Sequence, residues 1–133
     1  MNQHHRKGLL LVVSGPAGVG KGTIDRVLLE RNTNMRLSVS ATTRAPRPGE
    51  IDGVHYFFIS DDKFKEMAEK NEFLEYMHVF NLHYYGTPRS FVEEEIAMGH
   101  DVLLEIDVQG AMRVREAYPG AVLVFIAPPS MGK

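Results

Sequence analysis

Nine consecutive residues, Gly15-Pro16-Ala17-Gly18-Val19-Gly20-Lys21-Gly22-Thr23, have the types and spacing of a loop that cradles phosphate. Glycines let successive backbone N–H groups turn toward one point, and a following helix adds the partial positive charge of its N-terminus. Lys21 adds a full charge for the β- and γ-phosphates of a nucleoside triphosphate. With glycine near 7% of residues and lysine at about 6%, GxxxxGK should arise by chance about 0.04 times in a chain this long. A plain glycine turn between a strand and a helix would need no lysine. Gly22 stands where the general pattern has a Ser or Thr for Mg²⁺. Either the metal is held mostly through water, or Thr23, one place later, fills the role. Arg44 and Arg47, three apart in a proline- and glycine-rich loop, are the second set: two guanidinium forks can grip one phosphate from two sides.

The elements that must position these groups are readable around them. Leu9 to Val13 is a continuous apolar run with a glycine on either side, as expected of a strand covered on both faces in a parallel sheet. Ile24, Val27 and Leu28 then fall on one helical face, and Asn32 and Asn34 end that helix. Leu37–Ala41 and Tyr56–Ile59 read as short strands, with the loop 42–53 between them. Ser60 caps a helix from Asp61 to about Lys70, Phe73–Phe80 is extended, and Thr87-Pro88 opens a helix that Gly99 closes. Val102–Ile106, a helix over Ala111–Tyr118 and a last strand over Ala121–Ala127 complete the order. Glu105 and Asp107 fall at the C-terminal end of the Val102 strand, where parallel sheets bind ligands. Alternating strands and helices predict an α/β fold, a P-loop NTPase-like parallel sheet flanked by helices, with a small β/α insertion over 38–95 in a single domain spanning 1–133.

Composition narrows the class. The 133 residues are 44% hydrophobic, carry a net charge of −2 and include no cysteine. Disulfides and thiolate metal sites are excluded, and charge gives no support for general nucleic-acid affinity. The apolar runs are too short for a membrane span or a signal peptide, so a soluble cytoplasmic protein is expected. The six histidines show no ligand spacing.

The segments SVSATTRAPRPGEIDGVHYFF (38–58), FLEYMHVF (73–80), YYGTPR (84–89) and LLEIDVQG (103–110), in that order behind the glycine-rich loop, resemble guanylate kinase from Leu9 to Pro129. The resemblance implies an enzyme that moves the γ-phosphoryl group of ATP, taken with Mg²⁺, onto GMP. It assigns Gly15 to Thr23 to ATP, Lys21 and Arg44 to catalysis, and Arg44, Arg47, Tyr56 and Tyr85 to the GMP phosphate. FNLHYYGT carries an extra residue before YYG, which leaves Tyr84 as the alternative to Tyr85. Ser40, Glu75 and Thr87 are assigned to guanine, whose N1 and N2 donors suit a carboxylate and whose O6 suits a hydroxyl. Adenine would present an acceptor to that carboxylate, a mismatch that such sites reject by roughly 10⁴ or more in favourable cases. Asp107 is assigned to the purine edge, and Glu105 and Thr23 to the metal, through water.

Guanylate kinases continue past the point where this sequence stops, with an arginine-bearing lid, part of the adenine pocket and a final strand and helix. The expectation is that this chain alone binds GMP but turns over poorly, and that uncovered apolar surface favours self-association. A non-catalytic guanylate-kinase-like binding module is the alternative class. The intact Gly15, Gly20 and Lys21 count against it. An adenylate-type kinase shares the Gly22-Thr23 ending, but RAPRPGE and Glu75 favour GMP.

Overall fold

A computed structural model describes residues 7–15 and 21–126, with Lys21 and Gly22 described by backbone only. The chain divides into two compact units, Met1–Leu37 with Glu95–Lys133, and Ser38–Glu94.

The first unit is built on a sheet of four strands, β1 (Leu10–Ser14), β2 (Met35–Leu37), β7 (Asp101–Glu105) and β8 (Val122–Phe125), in the order β2-β7-β1-β8. All three pairings are parallel, with Leu11 opposite Leu103 on one side and Val122 on the other. β1 and β7 are central, and Leu10, Val12, Val102, Leu103 and Leu104 are fully buried. This is the reason their sequences are unbroken apolar runs rather than alternating ones. Helix α1 (Lys21–Arg31) follows β1, and α4 (Val108–Ala117) follows β7, burying Ala111 and Val114. Asn32 Nδ2 donates to the Leu28 carbonyl at 2.8 Å, closing α1 where the sequence predicts its end.

The face of α1 differs from expectation. Ile24 and Val27 are 37% and 40% exposed, while Asp25 is buried. Helical spacing identifies residues that share a face; it does not say which face meets a neighbour.

The second unit holds β3 (Ala41–Thr42), β4 (Phe57–Phe58), β5 (Phe73–Val79) and β6 (His83–Pro88), in the order β4-β3-β6-β5, with α2 (Asp61–Glu69). The pairing of β3 with β4 is parallel and the other two are antiparallel. Phe64 of α2 is the centre of the core, stacked on Phe73 at 4.3 Å and on Tyr84 at 5.1 Å between ring centroids. Ser60 caps α2 as expected, its Oγ accepting from the Lys63 N–H. Gly86 permits this packing: a Cβ there would lie 2.7 Å from the Phe73 ring.

Two local expectations are corrected here. The expected strand 37–41 is two strands, since Leu37 ends β2 in the first sheet and Ala41 opens β3 in the second. Thr87 is a strand residue and not a helix cap: β6 runs through Pro88 because Thr87 pairs with Glu75 and Pro88 with Phe73, and α3 (Arg89–Ala97) begins only at Arg89. Gly99, at φ +90°, closes α3 by donating to the Ile96 carbonyl at 3.0 Å. Among the described residues no helix is long and apolar enough to cross a membrane.

Candidate functional site

The arginine loop starts from Thr42, a fully buried strand residue. Its hydroxyl donates to the Tyr84 carbonyl at 2.9 Å and accepts from the Arg44 N–H at 3.2 Å. This fixes where the loop leaves the sheet. Arg47-Pro48-Gly49-Glu50 then forms a tight turn: the Glu50 N–H donates to the Arg47 carbonyl at 2.9 Å, and Gly49 sits at φ +86°. Proline followed by a glycine at positive φ is the combination such a turn favours. Further on, Ile51 N–H donates to His55 Nδ1 at 3.0 Å and Phe58 N–H to Asp52 Oδ1 at 2.8 Å. The composition of residues 42–53 predicts a loose loop; side-chain bonds from within it tie it down.

Arg44 is the most constrained side chain of the loop, 8% exposed. Its Nη1 and Nη2 meet Glu50 Oε1 and Oε2 at 2.9 and 3.1 Å. Nε donates to the Tyr85 hydroxyl at 3.2 Å, and Nη1 also donates to the Ala45 carbonyl at 3.0 Å. The guanidinium carbon lies 5.2 Å from the centre of the Tyr56 ring, within cation–π range. The Glu50 bond pushes the arginine's pKa further up, outweighing the opposing effect of burial, and Tyr85 adds to it. The carboxyl of Glu50 is held at about 2, first by Arg44 and then by the Arg47 backbone N–H, which lies 2.8 Å from Oε1. Arg47 has an exposed side chain. Tyr84 packs instead on Phe64 and stacks on His78 at 4.2 Å, so it is Tyr85 that stands beside Arg44.

Strand register builds the second cluster. Glu75 on β5 faces Thr87 on β6, and the buried Thr87 hydroxyl donates to Glu75 Oε2 at 3.0 Å. Alternation along β6 places Tyr85 and Thr87 on one face and Tyr84 and Gly86 on the other. The arginine cluster and the carboxylate–hydroxyl pair therefore share a face of one small sheet. Ser40, just ahead of β3, is half-buried, and its carbonyl accepts from Phe57 N–H at 2.9 Å.

In the first unit, Gly15 directly follows β1. A Cβ there would lie 2.5 Å from the Ile126 carbonyl oxygen, so the close approach of backbone to backbone demands glycine. Pro16, Ala17, Gly18, Val19 and Gly20, and the side chain of Lys21, lie outside the described residues. Thr23 is exposed in the first turn of α1, and Glu105 is exposed at the C-terminal end of β7. Asp107 caps α4: its Oδ1 accepts from the Gly110 N–H at 2.7 Å.

Comparison with known proteins bears on this arrangement. The profile of the family described as guanylate kinase matches residues 7–133. The chain belongs to the guanylate kinase family. It is 57% identical over 126 residues to a guanylate kinase of Clostridioides difficile, covering 95% of this chain and 61% of that protein. It is 58% identical over 125 residues to one from Symbiobacterium thermophilum, covering 94% of this chain and 59% of the relative. The crystal structure of guanylate kinase from Anaplasma phagocytophilum superposes with a TM-score of 0.79 at 38% identity, covering 95% of this chain and 63% of that one. The chain thus spans about three-fifths of the length of the guanylate kinases it matches.

Membership leaves one well-placed group that sequence reasoning passed over. Glu50 closes the RAPRPGE segment and grips Arg44, yet in the sequence it is one more acid in a polar loop. The signal that could have found it is the Pro48-Gly49 turn, which returns residue 50 toward residue 47 and so toward the neighbouring arginine.

Proposed function

We propose that this chain carries the nucleotide sites of an ATP:GMP phosphotransferase, with Ser38–Glu94 as the GMP-binding unit. The observation that carries this reading is the shared sheet face: a basic–phenolic cluster (Arg44, Tyr85, Tyr56) beside an oriented carboxylate–hydroxyl pair (Glu75, Thr87). Two sites of that chemistry on one face suit a purine monophosphate with donors at N1 and N2. Arg44 and Tyr85, with Arg47 reaching in from the exposed turn, hold the phosphate. Glu75, oriented by Thr87, accepts from guanine, with Ser40 as a further hydroxyl for the base. The glycine-rich loop from Gly15 to Thr23, with Lys21, holds the ATP phosphates.

No protein nucleophile is required. A GMP phosphate oxygen attacks the γ-phosphorus of ATP and ADP departs, while the protein supplies position and charge. Among the described residues no trio of His, Cys, Asp or Glu could cage a metal ion. The donors that remain, the exposed Thr23 and Glu105, are hard oxygen ligands of the sort that hold Mg²⁺ with help from water and phosphate. When bound with ATP, Mg²⁺ supplies neutralisation of the β- and γ-phosphate charge. We also include self-association in the reading, supported by β8, an edge strand with Val122, Val124 and Phe125 44%, 41% and 50% exposed; sedimentation velocity against concentration tests it.

Titration calorimetry with GMP, AMP and ATP tests the reading. GMP is expected to bind, and AMP far more weakly. Lys21→Ala should abolish ATP binding while leaving GMP affinity nearly intact. Absence of GMP binding to the wild-type chain, or equal loss of both nucleotides on Lys21→Ala, refutes these roles.

A further inference from the structure

A guanidinium group has five N–H donors in one plane, arranged as an end edge (Nη1 and Nη2) and a side edge (Nε and Nη2). In Arg44 the end edge is filled by both oxygens of Glu50. The outward N–H of Nη1 is taken by the Ala45 carbonyl, and Nε by the Tyr85 hydroxyl. Among the described residues one donor remains, the second N–H of Nη2, which by the planar geometry lies on the same edge as the Tyr85 bond. The Tyr85 hydroxyl accepts from Nε and so keeps its own proton to donate. One anionic oxygen at that edge would receive both hydrogens.

We propose that Glu50 is the positioning residue for Arg44: its carboxylate clamps the end of the fork so that the side edge and the Tyr85 hydroxyl together face the phosphate of the bound nucleotide. The proposal rests on the reading of Arg44 as a phosphate ligand. An alternative is that Glu50 is an internal anion that the substrate phosphate must displace. The turn argues against displacement. Glu50 is returned to Arg44 by the local Pro48-Gly49 geometry, and its Oε1 also accepts from the Arg47 N–H. Removing it would strand a backbone donor and a carboxylate together, whereas the side edge needs no such exchange.

The test compares GMP with guanosine, which shares the base site and lacks the phosphate, by titration of the full 133-residue chain. Glu50→Gln keeps the shape and loses the charge and one acceptor. It is expected to weaken GMP binding about tenfold or more, the range of a charge-assisted hydrogen bond, and to leave guanosine within about twofold. In an Arg44→Ala background the same change should produce no further loss, because the effect travels through Arg44. Tighter GMP binding by Glu50→Gln overturns the proposal in favour of displacement. Equal weakening of GMP and guanosine, or a loss that persists without Arg44, overturns it in favour of a general role in the loop's fold. Should Glu50→Gln not fold, Glu50→Asp, with the charge one methylene short, is expected to show the same GMP-selective weakening at about threefold, and its absence counts equally against the proposal. Failure of the wild-type chain to bind GMP would instead remove the functional reading beneath it.

Discussion

Thr87 offers a perturbation whose size follows from its surroundings. The residue is fully buried, stands opposite Glu75 in the β5–β6 ladder, and donates to Glu75 Oε2 at 3.0 Å. Thr87→Val keeps the branched shape and strand preference and removes only the hydroxyl. A hydrogen bond to a charged acceptor contributes about 1.5–3 kcal/mol, and its loss at a fully buried position falls in that range. With an m-value of about 2 kcal/mol/M, the midpoint of urea unfolding should drop by about 1 M. The chain has no tryptophan, so far-UV circular dichroism and tyrosine emission are the probes. The same substitution removes the hold of the Thr87 hydroxyl on Glu75 Oε2, so GMP affinity should fall while ATP affinity holds. Thr87→Ser, which keeps the hydroxyl, should keep GMP binding. A valine variant that binds GMP like wild type would refute the assignment of Thr87 as the group that orients Glu75, and an unchanged urea midpoint would refute the energetic reasoning.

The Arg44–Glu50 pair predicts a pH signature. Its folded-state carboxyl sits at about 2 against an ordinary 4.5. A carboxyl depressed by folding stabilises wherever it is ionised in both states, and that contribution is lost as pH falls through the ordinary value toward the folded one. The stability gap between wild type and Glu50→Gln should therefore be flat above about pH 6 and close between about pH 5 and pH 2 in pH-resolved urea titrations; a gap constant over that interval would contradict the pairing. Gly86→Ala would put a Cβ 2.7 and 2.8 Å from two Phe73 ring atoms and 3.0 Å from Phe64. Overpacking of this kind costs about 1–3 kcal/mol, visible as a lowered urea midpoint that Phe73→Leu in the same chain should partly restore.

What the sequence made legible was local. The unbroken run at Leu9–Val13 announced a central parallel strand, Ser60 announced a cap, and Gly99 announced a helix end. Each is decided by residues within a turn of one another. What stayed hidden was decided across the chain. β6 holds a glycine and ends in proline, both poor strand residues, and it forms because β3 and β5 pair with it on either side while Gly86 makes room for Phe73. The buried side of α1 depends on which neighbours pack against it, so Asp25 rather than Ile24 lies inside. Which of Tyr84 and Tyr85 stands beside Arg44 is set by strand parity, which the extra residue in FNLHYYGT obscured: Tyr84 goes to the Phe64 core and Tyr85 to Arg44.

Glu75 and Glu50 are each held by hydrogen bonds from their own unit, and this bears on how the proposed GMP site would discriminate. Glu75 is fixed by a hydroxyl from the facing strand, Glu50 by two guanidinium nitrogens and a backbone N–H. Side chains already in place lose less rotamer freedom on binding, at about 0.5–1.5 kcal/mol each, so more of the contact energy appears as affinity. Rigid placement also sharpens rejection. A mobile carboxylate could swing away from adenine N1, whereas one oriented by a fully buried threonine keeps its lone pairs facing the wrong acceptor. Loosening Glu75 through Thr87→Val should therefore cost more in GMP affinity than in AMP affinity, narrowing the ratio between them. Equal losses for the two nucleotides would mean that Thr87 steadies the strand and leaves base choice to other groups.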